Sequence, residues 1–278
     1  MTTAQALIIA IVEGLTEFLP ISSTAHMIFA STALGIEKDE FVKLFTVSIQ
    51  FGAILAVVAL YWKRFFNFSR PAFYVKLAAA TVPALVLGYL FDDAIEAVLE
   101  KPLPIAMVLI LGGIVLLFID KIFHRNASSE AGLIADEKDV SVKKAVIIGF
   151  WQCLAMMPGT SRAAASIIGG MQQRLTRGAA AEFSFFLAVP TMLAVTAYSV
   201  FLKHWHVNGV ETKGYELITA DKSNTMYFLI GNLVAFVVAA VAIRFFIGFL
   251  KKYGFKVWGW YRIIAGAAII ALLMSGNL

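Results

Sequence analysis

A chain of 278 residues that is 60% hydrophobic and only 15% charged is not an ordinary soluble domain, which carries about 45–50% apolar and about 25% charged residues. A mean hydropathy of +0.82 across the whole length also excludes a disordered chain. The net charge of +5 does not indicate a nucleic-acid partner, because the basic residues lie between apolar runs in the manner of membrane loops.

In chain order, the first apolar region covers 4–34. It has no basic leader and carries Glu13 and Glu17 within its apolar run, so it is not read as a cleaved signal peptide. Pro20-Ile21-Ser22-Ser23-Thr24-Ala25-His26 divides it into two short helical arms. A spanning helix needs about 20 mostly apolar residues, so arms this short predict a re-entrant hairpin. Three spans follow at 43–62, 74–92 and 103–120. The region 144–171 repeats the hairpin pattern, broken by Pro158-Gly159-Thr160-Ser161-Arg162, and three more spans follow at 181–202, 226–247 and 258–276. Pro83 and Pro190 fall inside spans, where neighbouring helices can satisfy the freed backbone groups. Trp258, Trp260 and Tyr261 read as an interfacial belt, and His124, His204 and His206 as solvated loop residues. Cys153 stands alone, so neither an internal disulfide nor a cysteine metal cage can form.

The two broken regions read as copies. An offset of 138 pairs Pro20 with Pro158, Ser23 with Ser161, Phe45 with Phe183, Leu55 with Leu193 and Val57 with Val195. Because three spans separate the hairpins, the second copy enters from the opposite face, which predicts an inverted-topology repeat. The expected architecture is one all-α polytopic membrane domain over 1–278, with a first repeat at 1–125 and a second at 139–278. Lys63, Arg64, Arg70 and Lys76, Arg174 and Arg177, and Lys251, Lys252 and Lys256 fall on one side, opposite Asp92, Asp93, Glu96 and Glu100. The 121–143 loop is mixed in sign and the outer 203–225 loop holds three lysines, but on balance the positive-inside rule puts both termini outside.

Ionisable groups inside the hydrocarbon cost about 2.5–3.5 kcal/mol each on insertion scales and so mark candidate sites. Here they are Glu13, Glu17, His26 and Arg162. Glu13 and Glu17 share one helix face. Their repulsion calls for a divalent cation, Mg²⁺ or Ca²⁺, for a shared proton, or for an ion pair with Arg162. Ser22-Ser23-Thr24-Ala25-His26 sets hydroxyls and an imidazole at the start of a helical arm. That arrangement suits an anion site or a nucleophile beside a base, and equally a hydroxyl cap with a histidine satisfied in the bundle. Thr160 and Ser161 open the second arm beside Arg162, the side chain suited to bidentate phosphate recognition.

These motifs, with Glu13-Gly14-Leu15-Thr16-Glu17-Phe18-Leu19-Pro20, Gly169-Gly170-Met171 and Glu182-Phe183-Ser184-Phe185, resemble the bacterial undecaprenyl-diphosphate phosphatase family, also associated with bacitracin resistance. The resemblance covers nearly the whole chain. It implies six spans with two re-entrant hairpins, and hydrolysis of a lipid carrier diphosphate at the outer side of the bacterial cytoplasmic membrane. By position it implies Ser23 as nucleophile, His26 as acid–base or alternative nucleophile, and Glu13 and Glu17 as the acidic pair tied to a divalent cation. It implies Arg162 as the diphosphate-binding arginine, with Ser161 just before it. Ala25, Ala163, Ala164 and Ser166 stand where the family usually has glycine, serine, glycine and threonine, which implies a weakened site. Ser166 keeps a hydroxyl, whereas Ala25 and Ala164 add methyls where backbone approaches phosphate or takes a positive φ.

The expected mechanism is diphosphate hydrolysis, with Ser23 attacking the terminal phosphorus and His26 as its proton partner, or with direct attack by water. Expected partners are a polyprenyl diphosphate and the membrane lipids, a homodimer being allowed and nucleic acid excluded. The rival reading is a secondary transporter or lipid-phosphate flippase, since broken helices meeting at a midplane also build carriers.

Overall fold

The computed structural model describes residues 1–275 except 100, 124–132 and 208; Glu100, His124 and the last residue of the span expected at 258–276 lie outside the described residues. Two short helices open the chain, α1 (Thr3–Thr16), begun by a Thr2–Gln5 capping box, and α2 (Ser23–Ala33). An apolar helix over Glu40–Leu60 follows, composed of α3 (Glu40–Ser48) and α4 (Gln50–Leu60). A single turn, α5 (Trp62–Phe65), leads to α6 (Pro71–Leu90), the acidic α7 (Asp92–Leu99) and α8 (Pro102–Phe123). The second half again begins with two short helices, α9 (Val142–Cys153) and α10 (Arg162–Gln172), before the long α11 (Arg177–Ala197), which a π-helical turn extends to Leu202. An antiparallel ribbon of β1 (His204–Val207) and β2 (Val210–Lys213) then leads into α12 (Gly214–Thr219), α13 (Lys222–Tyr253) and α14 (Lys256–Met274).

Among the described residues six helices are long and apolar enough to cross a membrane, and they coincide with the six expected spans. The protein is therefore an all-α, multi-pass membrane protein. Leu111, Val241 and Ile264 are each more than 60% exposed on these helices, which only a lipid solvent makes inexpensive. The expected aromatic belt is corrected in one place. Trp260 and Tyr261 are exposed, but Trp258 is buried against Phe246 and Phe249. His204 and His206 stand exposed on β1.

The heaviest helix packing joins the two halves, while α1 with α2 and α10 with α9 and α11 also pack within their own half. The short α1 lies on α13, the short α9 lies on α6, and α8 lies along α14. Small residues permit the approach, as in other bilayer bundles. A Cβ on Gly149 of α9 would collide with the Ala80 carbonyl of α6, and one on Gly52 of α4 with the Asn232 carbonyl of α13. Asn232 Oδ1 also accepts the Gly52 N–H at 2.8 Å. Charges gather at the two ends of the bundle. At one end Arg64 pairs with Glu137 and Arg177 with Asp120. At the other Lys203 pairs with Glu96, and the N-terminal amine lies 3.8 Å from Asp39. The first short pair starts from the Asp39 end and the second from the Glu137 end, so their turns approach each other from opposite directions.

The glycine contacts give a direct test. Gly149→Leu and Gly52→Leu should each destabilise the bundle by about 3 kcal/mol or more, the upper range for overpacking. Gly248→Leu, with nothing within 4 Å of its added Cβ, should be neutral. Thermal unfolding in detergent, followed by circular dichroism, reads the difference.

Candidate active site

The site is built where the two turns meet. Pro20 and Pro158 stop helical continuation, and each following helix begins at a serine in left-handed backbone, Ser22 at φ 69° and Ser161 at φ 76°. Non-glycine residues rarely adopt this region, and where they do it marks strain that the surroundings must hold. In both turns the serine Oγ accepts the N–H three residues on, Ala25 at 3.4 Å and Ala164 at 3.2 Å. The geometric counterpart of Ser161 is thus Ser22, not the Ser23 that a constant offset assigns to it. Gly159, at φ 95°, is the extra residue that shifts the register. The expectation that Ala25 and Ala164 need positive φ is also corrected, for both sit in helical backbone and are buried. Ala163 is buried beside them.

One side chain ties the turns together. Arg262 of α14 is fully buried. Its Nη1 donates to Pro20 O at 3.1 Å and Thr160 O at 2.9 Å, and its Nη2 to Gly159 O at 2.7 Å. Its Nε donates to Leu109 O on α8 at 3.1 Å. Gly112 leaves the space for the guanidinium, since a Cβ there would overlap it. Ser161 Oγ adds a direct link, donating to Leu19 O at 3.4 Å. Sequence reading missed Arg262. The signal was present, an arginine within the sixth span, but beside an aromatic belt it resembles an interfacial snorkelling residue.

Around this clamp the expected residues divide into two groups. In the first, Glu17 Oε2 accepts the Ser23 hydroxyl at 2.5 Å, and Glu17 Oε1 accepts Arg162 Nη2 at 2.9 Å. Arg162 lies over the Phe18 ring and is fixed from behind, its Nη1 donating to Ser184 O at 2.9 Å and Ser184 Oγ at 3.2 Å. Ser166 donates to Arg162 O at 2.8 Å and lies 2.6 Å from Ser184 Oγ, which extends the chain of hydroxyls. Ser184 was recognised only as part of a motif, and its contact with Arg162 needed the fold. Arg162 Nε is buried without an acceptor.

His26 stands apart. Its Nδ1 lies 2.8 Å from Ser22 O and its Nε2 2.8 Å from Tyr261 Oη, with the two rings stacked at 5.6 Å. The hydrogen-bond acceptor of Ser23 is therefore Glu17, not the expected His26. Thr24 and Thr160 are half-buried, and the Thr160 carbonyl is held by Arg262.

Glu13 is fully buried, and no donor reaches either of its oxygens. A carboxyl so placed, beside Glu17, asks for a proton or a cation. Among the described residues no three His, Cys, Asp or Glu side chains gather as a metal cage. Any cation would take its other ligands from water or from a bound anion. With helices α2 and α10 both starting here, the site combines one arginine, a hydroxyl bonded to a carboxylate, and helix N-termini. This is the equipment for binding and cleaving a phosphate ester or anhydride.

Comparison with known proteins agrees. The family model described as Bacitracin resistance protein BacA matches residues 6–268. The undecaprenyl-diphosphatase of Porphyromonas gingivalis is 49% identical over 99% of this chain and 98% of its own. That of Flavobacterium psychrophilum is 50% identical over 98% of this chain and 96% of its own. The Bdellovibrio bacteriovorus enzyme is 44% identical over 100% of this chain and 98% of its own.

The clamp is testable by itself. Each buried acceptor stranded by Arg262→Met should cost about 1–3 kcal/mol, so the thermal transition in detergent should fall steeply. Arg262→Lys, which keeps a charge but only part of the donor fork, should recover part of the loss.

Proposed function

The chain belongs to the Bacitracin resistance protein BacA family, and on that premise we infer that it is an undecaprenyl-diphosphatase. It hydrolyses undecaprenyl diphosphate to undecaprenyl phosphate and inorganic phosphate, recycling the lipid carrier of cell-wall synthesis. The observation that carries this reading is the linked Ser23–Glu17–Arg162 cluster between the two turns. A carrier has no need of a hydroxyl held at 2.5 Å from a carboxylate, so the cluster favours chemistry over transport.

We propose that the diphosphate enters between the turns with its prenyl tail among the spans. Arg162 exchanges Glu17 for the diphosphate, using Nη2 and its unpartnered Nε while Ser184 keeps Nη1 in place. Glu17, released from the guanidinium, takes the Ser23 proton as Oγ bonds to the terminal phosphorus. The bond from that phosphorus to the bridging oxygen breaks, and the prenyl monophosphate leaves. Water then hydrolyses the phosphoserine, returning the Ser23 proton and releasing phosphate. Ser22, Ser161, Thr24 and Thr160 line the turns as further polar contacts, and Ser166 supports Arg162. Glu13 and Glu17 are the residues that would hold a divalent cation, and the orphaned Glu13 oxygens support that assignment. With so few protein ligands the site suits Mg²⁺, which keeps waters and phosphates in its shell; Ca²⁺ needs more oxygens. When bound, the cation supplies positive charge against the diphosphate. In a bilayer the short pairs α1–α2 and α9–α10 become re-entrant hairpins of an inverted repeat. Both termini face the outside of the cytoplasmic membrane.

Inorganic phosphate release from a prenyl diphosphate in detergent tests the reading. Release should be supported by Mg²⁺, abolished by EDTA, and lowered about 100–1,000-fold by Arg162→Ala, the scale for losing one donor to a developing anion. Ser23→Ala should be equally low. Glu13→Gln should raise the Mg²⁺ concentration needed. No release from folded protein in detergent, with prenyl phosphate movement only in sealed vesicles, would make it a carrier.

A further inference from the structure

The helix turn that carries Arg262 also places Tyr261, and this residue has no part in the reading above. From the His26 surroundings we propose that Tyr261 is a positioning residue for His26, holding the imidazole in one tautomer and turned away from Ser23. The inference rests on the phosphatase reading for its kinetic consequence but not for its structural content.

The argument begins with the ring nitrogens. Nδ1 faces the Ser22 carbonyl at 2.8 Å, and a carbonyl only accepts, so Nδ1 carries the hydrogen. In neutral His26 the lone pair is then on Nε2, where the Tyr261 hydroxyl donates to it at 2.8 Å. A hydroxyl can also accept. If the imidazole gains a proton, the Tyr261 O–H turns, and the same contact holds the imidazolium without ring movement. Stacking of the rings at 5.6 Å with 11° between planes restrains the remaining rotation. Both protonation states are thus held in one orientation.

Two consequences follow for the reaction. His26 has no free nitrogen for Ser23, which agrees with Glu17 being the acceptor of that hydroxyl. The histidine is also joined to a residue that is 42% exposed on α14, so the pair reaches the outer wall of the site. His26 and Tyr261 therefore form a proton pair separate from Ser23 and Glu17. Because Arg262 is the next residue, the α14 turn fixes the two hairpin turns and the imidazole together.

Nitrogen-15 spectra of histidine-labelled protein in detergent, with the His26 signals identified by their loss in His26→Gln, test the structural content. The wild type should show a protonated Nδ1 and an unprotonated Nε2. Tyr261→Phe, which keeps the ring and removes the hydroxyl, should shift the Nε2 signal. A wild-type Nε2–H tautomer, or unchanged signals in Tyr261→Phe, would overturn the proposal, and the wild-type spectrum decides even if the variant does not fold. In phosphate release, Tyr261→Phe should lower kcat by no more than His26→Ala does, with KM within about twofold. His26→Ala with Tyr261→Phe should be no slower than His26→Ala alone. A further fall in the double variant would mean that Tyr261 acts elsewhere. If the wild type releases no phosphate, the phosphatase reading fails while the spectra still decide the tautomer.

Discussion

Both turns of the site are held by a guanidinium that meets no carboxylate. Arg262 is buried among backbone carbonyls of Pro20, Gly159, Thr160 and Leu109, which come from three separate parts of the chain. A broken helix leaves carbonyls without partners, and in hydrocarbon each one is expensive. Arg262 satisfies several of them with one rigid fork and, in doing so, fixes the distance between turns that are more than a hundred residues apart in sequence. Lysine lacks the geometry for this, and a neutral donor lacks the reach. The positive φ values at Ser22 and Ser161 are tolerable because this clamp and the serine caps overdetermine the backbone around them.

The same turns set the electrostatics. Glu17 is the hinge of the charge network, accepting from Arg162 with one oxygen and from Ser23 with the other. In the proposed mechanism a diphosphate competes with Glu17 for Arg162 because it offers the guanidinium more charge. In the proposed exchange Glu17 gives up its guanidinium partner and keeps the Ser23 hydroxyl. On the proposed reading, anion binding would leave Glu17 free to take the Ser23 proton. Ser184 would keep the arginine in place during that exchange.

Much of this could be read from the sequence. Hydropathy located the six spans because bilayer thickness fixes helix length, and the prolines with clustered hydroxyls located the two breaks. The cost of charge in hydrocarbon singled out Glu13, Glu17, His26 and Arg162, and Arg162–Glu17 pairing was among the open alternatives. What escaped depended on three-dimensional neighbours. Ser184 is an unremarkable hydroxyl until α11 sets it behind Arg162. Tyr261 and Arg262 look like a belt residue and its snorkelling neighbour until α14 turns them inward. The register between the turns was misread by one residue because Gly159 occupies a conformation that alignment by residue type does not register. Hydrogen-bond partners were hidden in the same way: Ser23 and His26 are three apart on one helix, but they do not bond to each other. The imidazole instead turns toward its own helix carbonyl and α14, leaving the hydroxyl to Glu17.

Glu13 is the residue that turns this arrangement from a closed ion pair into a binding site. Glu17 has its arginine, but Glu13 is fully buried with neither oxygen bonded, a condition that costs several kcal/mol if the group is charged. A site built only for stability would replace it with an apolar side chain of similar size. Its presence makes sense if a positive charge arrives with, or just before, the substrate. Without a cation the buried Glu13 would keep a proton, and on the proposed reading a cation arriving with the diphosphate would take that proton's place. By the same reading, one carboxyl without a partner, a helical turn from Glu17, would favour a metal-bearing diphosphate over a bare phosphate.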